Sequence, residues 1–397
     1  MRTLALELHR SVPRFVAQRT IGRRLPGLLA GPISSLRLVH REAPEPPAPG
    51  WARVTPVLSG ICGSDLTTVS GDASFYFSAL VSLPFVPGHE VVGVLSDNVN
   101  GLSAGQRVVL DPVLGCAARG IEPTCAPCAR GDHGLCERVT GGHVAAGLQT
   151  GYCADTGGGW SGSLVAHHTQ LRAVPDELPD ETALMTEPLA CAIHAVRRAN
   201  VPRDARVLVV GAGTVGLLTI AALREFTEAG PVVAVAKHGH QAALAKAYGA
   251  TEVVPPAEAL GAVRRATQAF RLHPERSDAF LLGGADVAFE CAGSRQSLDL
   301  ALRATKARGR VVLAGMPPRS DLSPAWFREL EVVGAYSGAG AFSDSLGMLA
   351  GSDIGRLVSA TYPLDRFEDA IQHAAEAGRR GAVKIAFDLR PEKERNR

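Results

Sequence analysis

The chain has 397 residues, a formal net charge of +2, and 46% apolar and 20% charged residues. This composition is ordinary for a globular protein, so it argues against a disordered or fibrous chain, and the length suggests two domains. The near-neutral charge gives no reason to expect nucleic acid as a partner. No run of about 18 uncharged apolar residues occurs, so we expect no membrane partner.

The N-terminal segment is strongly basic, because residues 10–41 contain seven arginines and no acidic residue. Three interpretations are open: a basic insertion at the surface, an organellar targeting segment, or an arm that binds a partner. Glu7 interrupts the start of the chain, which disfavours a targeting segment. We therefore favour the surface insertion.

Residues 51–175 are rich in glycine and proline and contain short apolar runs such as Arg107–Asp111. This pattern predicts a β-rich region with long loops. From Asp204 onward, apolar runs alternate with amphipathic stretches, which predicts βαβ units and a parallel sheet. The predicted elements are strands at 207–210, 232–235, 251–254, 285–289 and 310–314, and helices at 214–228 and 241–248.

Three short stretches carry the residue types of an open zinc site. They are Gly60-Ile-Cys62-Gly-Ser64-Asp65, Pro87-Gly88-His89-Glu90-Val91 and Thr186-Glu187-Pro188-Leu189-Ala190. Thiolate, imidazole and carboxylate groups hold zinc and can leave one position of its tetrahedron open for a water or substrate oxygen. Each stretch alone is weak evidence, since Cys62 could be a small buried side chain and Glu187 an acid at a helix start. Together they predict a catalytic zinc centre.

Four of the eight cysteines fall within 21 residues, and no signal peptide pattern precedes them; these four are Cys116, Cys125, Cys128 and Cys136. In such a chain, a Cys-x-x-Cys cluster is more often a metal site than a disulfide framework. We therefore expect a second metal site and a reducing, cytoplasmic location.

The stretch Gly211-Ala-Gly213-Thr214-Val215-Gly216 follows a predicted strand and opens a predicted helix. In this context the first glycine permits a tight turn, the second lets the backbone approach a pyrophosphate, and the third allows close packing of helix and strand. The positive end of the helix then receives the phosphates. These residues predict a dinucleotide site.

The end of the second predicted strand bears on which nicotinamide cofactor binds. An acidic residue there would hydrogen-bond the ribose 2′-hydroxyl of NAD and repel the 2′-phosphate of NADP. The chain instead has Ala236, followed by Lys237 and His238. The missing acid and the adjacent cation favour NADP, while a solvent-exposed Lys237 in an enzyme that accepts NAD or NADP is the alternative.

Together these motifs resemble the zinc-dependent medium-chain dehydrogenase/reductase family of the alcohol dehydrogenase superfamily, nearest to its sorbitol, threonine and glucose dehydrogenase-like members. The resemblance runs from about Trp51 to Val383–Phe387, and Arg2–Glu7 resembles the family's first strand, whereas residues 10–45 fit poorly. It implies an α/β protein with two domains. Residues 1–192 and 338–397 would form a β-rich GroES-like catalytic domain, and residues 193–337 a Rossmann domain with a doubly wound parallel sheet.

The resemblance implies that Cys62 and His89 hold the catalytic zinc. Either Glu90 or Glu187 would be the third protein ligand, or one of the two carboxylates would act through a water molecule. Glu187 stands where the other branch of the family carries a cysteine, which favours polyol and sugar dehydrogenases.

The resemblance also implies that Ser64 passes the proton of the substrate hydroxyl outward. The family's next relay is a histidine five residues after the zinc-binding cysteine, and this chain has Thr67 there. The exit route of the proton is therefore open. Asp65 is expected to orient the zinc loop.

A second, structural zinc is implied as well. Cys125, Cys128 and Cys136 match the last three ligands of the family's structural zinc lobe. Three positions before Cys125, where the family has its first ligand, this chain has Glu122, while Cys116 lies further upstream. We favour Cys116 as the fourth ligand; Glu122 and a lobe without metal are the alternatives.

The main hypothesis is an oxidoreductase that uses zinc and NAD(P) to move hydride between a secondary alcohol, polyol or sugar, or the matching carbonyl compound, and the nicotinamide. One alternative is an NADPH-dependent biosynthetic carbonyl reductase, and another is a non-catalytic nucleotide-binding scaffold. A scaffold has no use for an open metal position, which argues against it. The resemblance further implies a homodimer or homotetramer.

Overall fold

The computed structural model describes residues 2–22, 30–31, 33–338 and 340–395. The chain forms two compact units, Met1–Glu187 with Phe342–Arg397, and Pro188–Ala341. Arg23 and Arg24 of the basic segment lie outside the described residues. Within the described ranges, no helix has the length and apolar character needed to cross a membrane.

The first part of the chain contains seven strands and five α-helices within the described residues, and the last of these helices crosses the boundary between the units. The strands are β1 (Arg2–Leu8), β2 (Leu36–Glu42), β3 (Trp51–Gly60), β4 (Val91–Leu95), β5 (Arg107–Leu110), β6 (Leu164–His167) and β7 (Leu171–Ala173). The helices are α1 (Val12–Ala17), α2 (Gly63–Val69), α3 (Ala126–Ala129), α4 (Asp180–Leu184) and α5 (Thr186–Ala199), with 3-10 turns at Phe75–Ala79, His133–Leu135 and His168–Gln170 and a π-helical turn at Gln18–Gly22.

The remaining elements follow in chain order. The second unit contains β8 (Val207–Val210), α6 (Thr214–Phe226), β9 (Val232–Val235), α7 (Gly239–Ala247), β10 (Glu252–Val254), α8 (Ala259–Thr267), β11 (Phe270–Leu272), β12 (Phe280–Leu282), β13 (Ala285–Glu290), α9 (Arg295–Ala304), β14 (Thr305–Leu313), α10 (Ser323–Phe327) and β15 (Glu331–Gly334). The first unit is completed by α11 (Phe342–Leu349), β16 (Val358–Tyr362), α12 (Phe367–Ala375), β17 (Lys384–Asp388) and α13 (Glu392–Arg395). Further 3-10 turns are Pro256–Glu258, Ile354–Leu357 and Leu364–Arg366.

The main sheet of the first unit has seven strands in the order β16-β17-β3-β4-β5-β7, with β6 also paired to β3. β3 lies between β17 and β4 and is antiparallel to both, with Gly60 opposite Ala386 and Ser59 opposite Val91. Because neighbouring antiparallel strands run in opposite directions, the end of β3 meets the starts of β4 and β17. This corner of the sheet carries the candidate zinc ligands.

The sheet of the second unit is parallel and has the order β10-β9-β8-β13-β14-β15. Numbered along the chain within this sheet, the order is 3-2-1-4-5-6, which is the doubly wound arrangement. β8 and β9 have the predicted bounds, and all four residues of each are buried. The sequence did not predict the antiparallel pair β11–β12, because all three residues of β11 are exposed and no apolar alternation marks it.

The basic segment follows β1, and its last residues, which include Arg37 and Arg41, belong to the antiparallel strand β2. Its helix α1 packs near the end of α2: the ring of Phe15 lies 5.5 Å from that of Phe75, and Gln18 donates to the carbonyl of Val69. Arg10 and Arg19 are exposed. The described part of this segment is thus attached to the first unit through α1, Gln18 and the pairing of β2 with β1.

Candidate functional site

Cys62, His89 and Glu90 come together where β3 ends and β4 begins. Cys62 is the N-cap of α2, and the other two residues directly precede β4. One potential ligand atom from each lies within 4.8 Å of the others. Zinc ligands bind at about 2.0–2.3 Å, so donors at this spacing fit around one ion.

Asp65 links two of these residues. Its Oδ2 accepts a 2.9 Å hydrogen bond from the Cys62 amide, and its Oδ1 lies 3.3 Å from His89 Nδ1. A carboxylate beside one ring nitrogen fixes the orientation of the imidazole and leaves the other nitrogen, Nε2, for a metal. Burial alone lowers the pKa of His89, but Asp65 and Cys62 outweigh it and hold that pKa well above its usual value.

Lys384, at the start of β17, was not predicted as a site residue. Its ammonium group forms a buried ion pair with Glu90 and lies 3.3 Å from the carbonyl oxygen of Ile61. Burial lowers the pKa of Lys384, but the attraction of Glu90 and Cys62 outweighs it, so the group stays charged. Gly60 makes room for the pair, since a Cβ there would overlap Glu90 Oε2.

Glu187 lies outside the group of three. It is buried near the start of α5, and its negative charge contributes to the raised pKa of Lys384. The structure therefore brings Cys62, His89 and Glu90 together and leaves Glu187 within electrostatic reach of the same lysine.

The three-residue cluster has the character of a metal site. The buried polar atoms on its outer side face charged partners: His89 Nδ1 faces Asp65 Oδ1, and Glu90 Oε2 faces the ammonium group of Lys384. One potential ligand atom each of Cys62, His89 and Glu90 still lies within 4.8 Å of the others. Thiolate, imidazole and carboxylate are the usual ligands of zinc, so the residues fit zinc.

Ser64 lies on the first turn of α2 and is half-buried. Its side chain is a hydrogen-bond contact of the Tyr152 hydroxyl. The hydroxyl of Thr67, in contrast, donates a 2.8 Å bond to the carbonyl of Gly63 within the same helix. The sequence did not predict Tyr152 as a site residue, because no motif in residues 150–153 indicates a contact with α2.

The four clustered cysteines form a second, closed group of buried thiols, and one ligand atom from each lies within 4.8 Å of the others; the residues are Cys116, Cys125, Cys128 and Cys136. The sulfur of Cys116 is 3.5 Å from that of Cys125 and 3.6 Å from that of Cys136. A zinc–sulfur bond of about 2.3 Å gives about 3.8 Å between the ligands of a tetrahedron. Glu122 is exposed and lies outside the group.

Backbone amides point at these sulfurs, as a thiolate cluster requires. The amides of Cys125 and Glu137 lie 3.4 Å and 3.5 Å from the sulfurs of Cys116 and Cys125, respectively. The amides of Glu137 and Cys128 and neighbouring thiols lower the pKa of Cys125 to about 6 against the effect of burial, whereas burial raises the pKa of Cys128 and of Cys136. The sulfur spacing and the amide contacts are therefore what indicate the ligand set. The group therefore fits a four-thiolate zinc.

In the turn between β8 and α6, the absence of a side chain matters at each glycine for a different geometric reason. Gly211 has φ +106°, and a Cβ there would lie 2.9 Å from the Cβ of Ala292. A Cβ at Gly216 would overlap the carbonyl oxygen of Gly211. A Cβ at Gly213, the N-cap of α6, would meet nothing within 4 Å, which leaves the space that a pyrophosphate needs. Thr214 and Val215 form the first turn of α6.

The residues after β9 lie where the cofactor ribose is expected. Ala236 is buried and donates a 3.0 Å hydrogen bond to the carbonyl of Val254. Lys237 is exposed, and His238 is the N-cap of α7. An exposed cation and the start of a helix are both favourable to a phosphate group.

Glu290 is a further residue next to the glycine turn, and no motif in the sequence predicts it. It ends β13, is fully buried, and its Oε1 accepts hydrogen bonds of 2.9 Å and 2.8 Å from the amides of Ala292 and Gly293. These bonds fix the loop that packs on Gly211. A buried acid at the end of an apolar strand is the signal that could have identified it.

Comparisons with known proteins agree with this geometry. The alcohol dehydrogenase GroES-like domain profile matches residues 48–176, and the zinc-binding dehydrogenase profile matches residues 214–351. L-idonate 5-dehydrogenase of Vitis vinifera is 30% identical over 340 residues, which cover 83% of this chain and 86% of that protein. The chain belongs to the zinc-binding dehydrogenase family. This dehydrogenase is also 30% identical to sorbitol dehydrogenase of Arabidopsis thaliana, over 86% of this chain and 89% of the relative.

The fold of the dehydrogenase is shared with a Sinorhizobium meliloti 1021 protein whose crystal structure is bound to NADP. That protein is 24% identical, the TM-score is 0.72, and the match covers 98% of this chain and 99% of the other. Family membership confirms the predicted GroES-like and Rossmann folds and the predicted class of enzyme, an oxidoreductase that depends on zinc and NAD(P).

Proposed function

We propose that this dehydrogenase oxidises a secondary hydroxyl group of a polyol, a sugar or a sugar acid with NADP, and that Cys62, His89 and Glu90 hold the catalytic zinc. The convergence of these three donors at one corner of a sheet carries the proposal. The relatives named for idonate and sorbitol support the substrate class.

Zinc, when bound there, supplies Lewis acidity toward the alcohol oxygen. Residues of the chain orient the ligands, balance the charge and accept the proton. Asp65 orients His89, and Lys384 balances the negative charge around Glu90. Ser64 lies two residues after Cys62, where it can accept the proton that the hydroxyl group loses. The glycine turn holds the pyrophosphate of the cofactor.

The substrate class is tested with a panel of polyols, sugar acids, simple secondary alcohols and the matching ketones, each with both nicotinamide cofactors. We expect turnover of at least one polyol or sugar acid, and loss of that turnover after chelation of zinc. Turnover that survives complete removal of zinc would contradict the proposed site. Including the ketones also tests the reductase hypothesis, because the same site works in reverse.

The choice of NADP is supported by Ala236 and the exposed Lys237. We expect a lower Michaelis constant for NADP than for NAD, and a reversal of that preference in Ala236→Asp, whose carboxylate repels the 2′-phosphate. Lys237→Gln should weaken NADP alone. A clear preference of the wild-type enzyme for NAD would rule the proposal out.

The roles of the two carboxylates are separated by a matched pair of variants. Glu90→Gln should lower the affinity for the catalytic zinc by about 10–100-fold or more, since it weakens a ligand. Glu187→Gln should keep the zinc and reduce turnover. Metal content by mass spectrometry distinguishes the two, and loss of zinc from Glu187→Gln alone would make Glu187 the ligand instead.

We also propose that the enzyme is a homodimer or homotetramer in the cytoplasm. β15 is an edge strand of the parallel sheet, and Leu322, Trp326 and Phe327 just before it are exposed by 58%, 84% and 64%. Such an edge can pair with a second copy of itself. None of the eight cysteines, all of which lie among the described residues, forms a disulfide, as in a reducing compartment. Light scattering of wild type and Trp326→Glu tests the assembly, and cell fractionation tests the location.

A further inference from the structure

The Tyr152 side chain lies between the candidate zinc site and α2. Its ring centroid is 5.2 Å from that of Phe85 and 5.9 Å from that of His89. Its hydroxyl oxygen is 3.3 Å from Thr68 Oγ1 and is also a hydrogen-bond contact of the Ser64 side chain. A phenol has an ordinary pKa of about 10, so at neutral pH it carries a proton that it can donate.

The direction of these hydrogen bonds follows from the protons available. Thr68 Oγ1 donates its proton to the Ser64 carbonyl oxygen at 2.8 Å, so in its bond with Tyr152 it is the acceptor. Tyr152 therefore donates to Thr68, and its oxygen is left to accept from the Ser64 hydroxyl. The three hydroxyls form a chain directed from Ser64 through Tyr152 to the half-buried Thr68.

The neighbouring Thr67 provides a contrast within the same helix. Its hydroxyl donates to the Gly63 carbonyl at 2.8 Å, the same bond to the fourth preceding residue that Thr68 makes. The Thr68 hydroxyl additionally meets Tyr152. The family resemblance would place a histidine at position 67. In this chain the hydroxyl that reaches Tyr152 is that of Thr68, one residue later.

We propose that Tyr152 and Thr68 relay the proton outward from Ser64 during alcohol oxidation. The relay rests on the proposed function. The substrate hydroxyl gives its proton to Ser64, Ser64 gives its own to Tyr152, and Tyr152 gives its own to Thr68. Thr68 then breaks its bond to the Ser64 carbonyl and releases that proton to solvent. Each hydroxyl gains one proton and loses one, and the hydride leaves the substrate carbon for the nicotinamide. Tyr152 acts through Ser64 and is thus a positioning and relay residue.

The test is steady-state alcohol oxidation by Tyr152→Phe, Thr68→Val, Thr68→Ser and Thr67→Val, in H₂O and D₂O. Tyr152→Phe keeps the ring and removes only the hydroxyl. Because proton transfer by a positioned group contributes about 10²–10⁴-fold, we expect its kcat to fall by about tenfold or more, with KM little changed. The solvent isotope effect on kcat should rise, since proton release becomes rate-limiting. Thr68→Val should share both changes in smaller degree.

Two variants are controls. Thr67→Val removes an equivalent helix-internal hydrogen bond and should match the wild type, and Thr68→Ser should restore what Thr68→Val loses, because it regains the hydroxyl. Zinc content and thermal midpoint, which report the fold and the metal site, should stay near wild type in all four variants.

Wild-type kcat and isotope effect in Tyr152→Phe would overturn the relay, and so would equal impairment of Thr67→Val and Thr68→Val. If Tyr152→Phe does not fold, the Thr68→Val and Thr68→Ser pair decides by the same criteria. A wild-type enzyme that turns over no alcohol with either cofactor would overturn the proposed function. An active wild type with an equally active Tyr152→Phe would overturn only the relay.

Discussion

The two metal-ligand clusters of the first unit differ in how their polar atoms are satisfied. Around the four cysteines, backbone amides point at the sulfurs and the group is closed and uniform. Around Cys62, His89 and Glu90 the donors are of three types, and charged side chains face them: Asp65 lies beside His89 and Lys384 beside Glu90. Closed four-thiolate zinc sites are structural, whereas sites with mixed ligands and an open position are catalytic.

Each cluster also has one buried cation close to it, and the two cations are held differently. Lys384 forms an ion pair with Glu90. Arg119 is fully buried and donates to backbone carbonyls, including those of Leu114 at 3.0 Å and Gly147 at 2.6 Å. We therefore expect the lysine to adjust the charge of a reactive site and the arginine to hold together the loops of a structural lobe.

The largest effect should come from opening the closed cluster. A structural zinc contributes about 10–16 kcal/mol to folding in small zinc domains, so losing one thiolate in Cys116→Ser should cost several kcal/mol and lower bound zinc from about two to about one per chain. Cys153→Ser is the matched control, because both cysteines are fully buried but Cys153 lies outside the cluster. Thermal unfolding and metal analysis read out the result. Unchanged zinc content in Cys116→Ser would refute its role.

Cys62→Ser should show the opposite pattern. Because the catalytic metal contributes several kcal/mol to the transition state, we expect kcat/KM to fall by about 10³-fold or more, which is about 4 kcal/mol. The thermal midpoint should change far less than in Cys116→Ser. A Cys62→Ser variant that unfolds as readily as Cys116→Ser would show that both clusters are structural, and the contrast between them would fail.

The donors in both clusters could be found from the sequence, because Cys62, His89 and the cysteine run lie in short motifs. β8, α6 and β9 could be found because apolar runs surround a glycine turn. Lys384 and Tyr152 could not be assigned to the site, since they reach it through strand pairing and loop packing across many residues of chain. Local periodicity carries no information about such long-range contacts.

Exchanging each buried cation for an uncharged side chain should give different results at the two clusters. Arg119→Met leaves several buried carbonyls unpaired, and at about 1–3 kcal/mol for each unsatisfied group it should lower unfolding free energy by about 3 kcal/mol or more. We expect its loss of activity to follow its loss of folded protein. Lys384→Met should reduce turnover in enzyme that is still folded. Activity per folded molecule, from circular dichroism and kinetics on one sample, separates the two; equal profiles would mean that the cations have the same role.

The smallest effect should come from Asp65→Asn, which keeps the size of the side chain next to the open cluster. The amide oxygen can accept one hydrogen bond, from the Cys62 amide or from His89, and its NH₂ group cannot accept the other. Because partners of metal-ligating histidines typically contribute 10–100-fold to metal affinity or activity, we expect a loss in that range. The zinc affinity of the catalytic site should fall while the four-cysteine site keeps its metal, which competition with a graded series of chelators measures. A loss of both metals together would mean that Asp65 supports the fold of the whole unit and not the orientation of one imidazole.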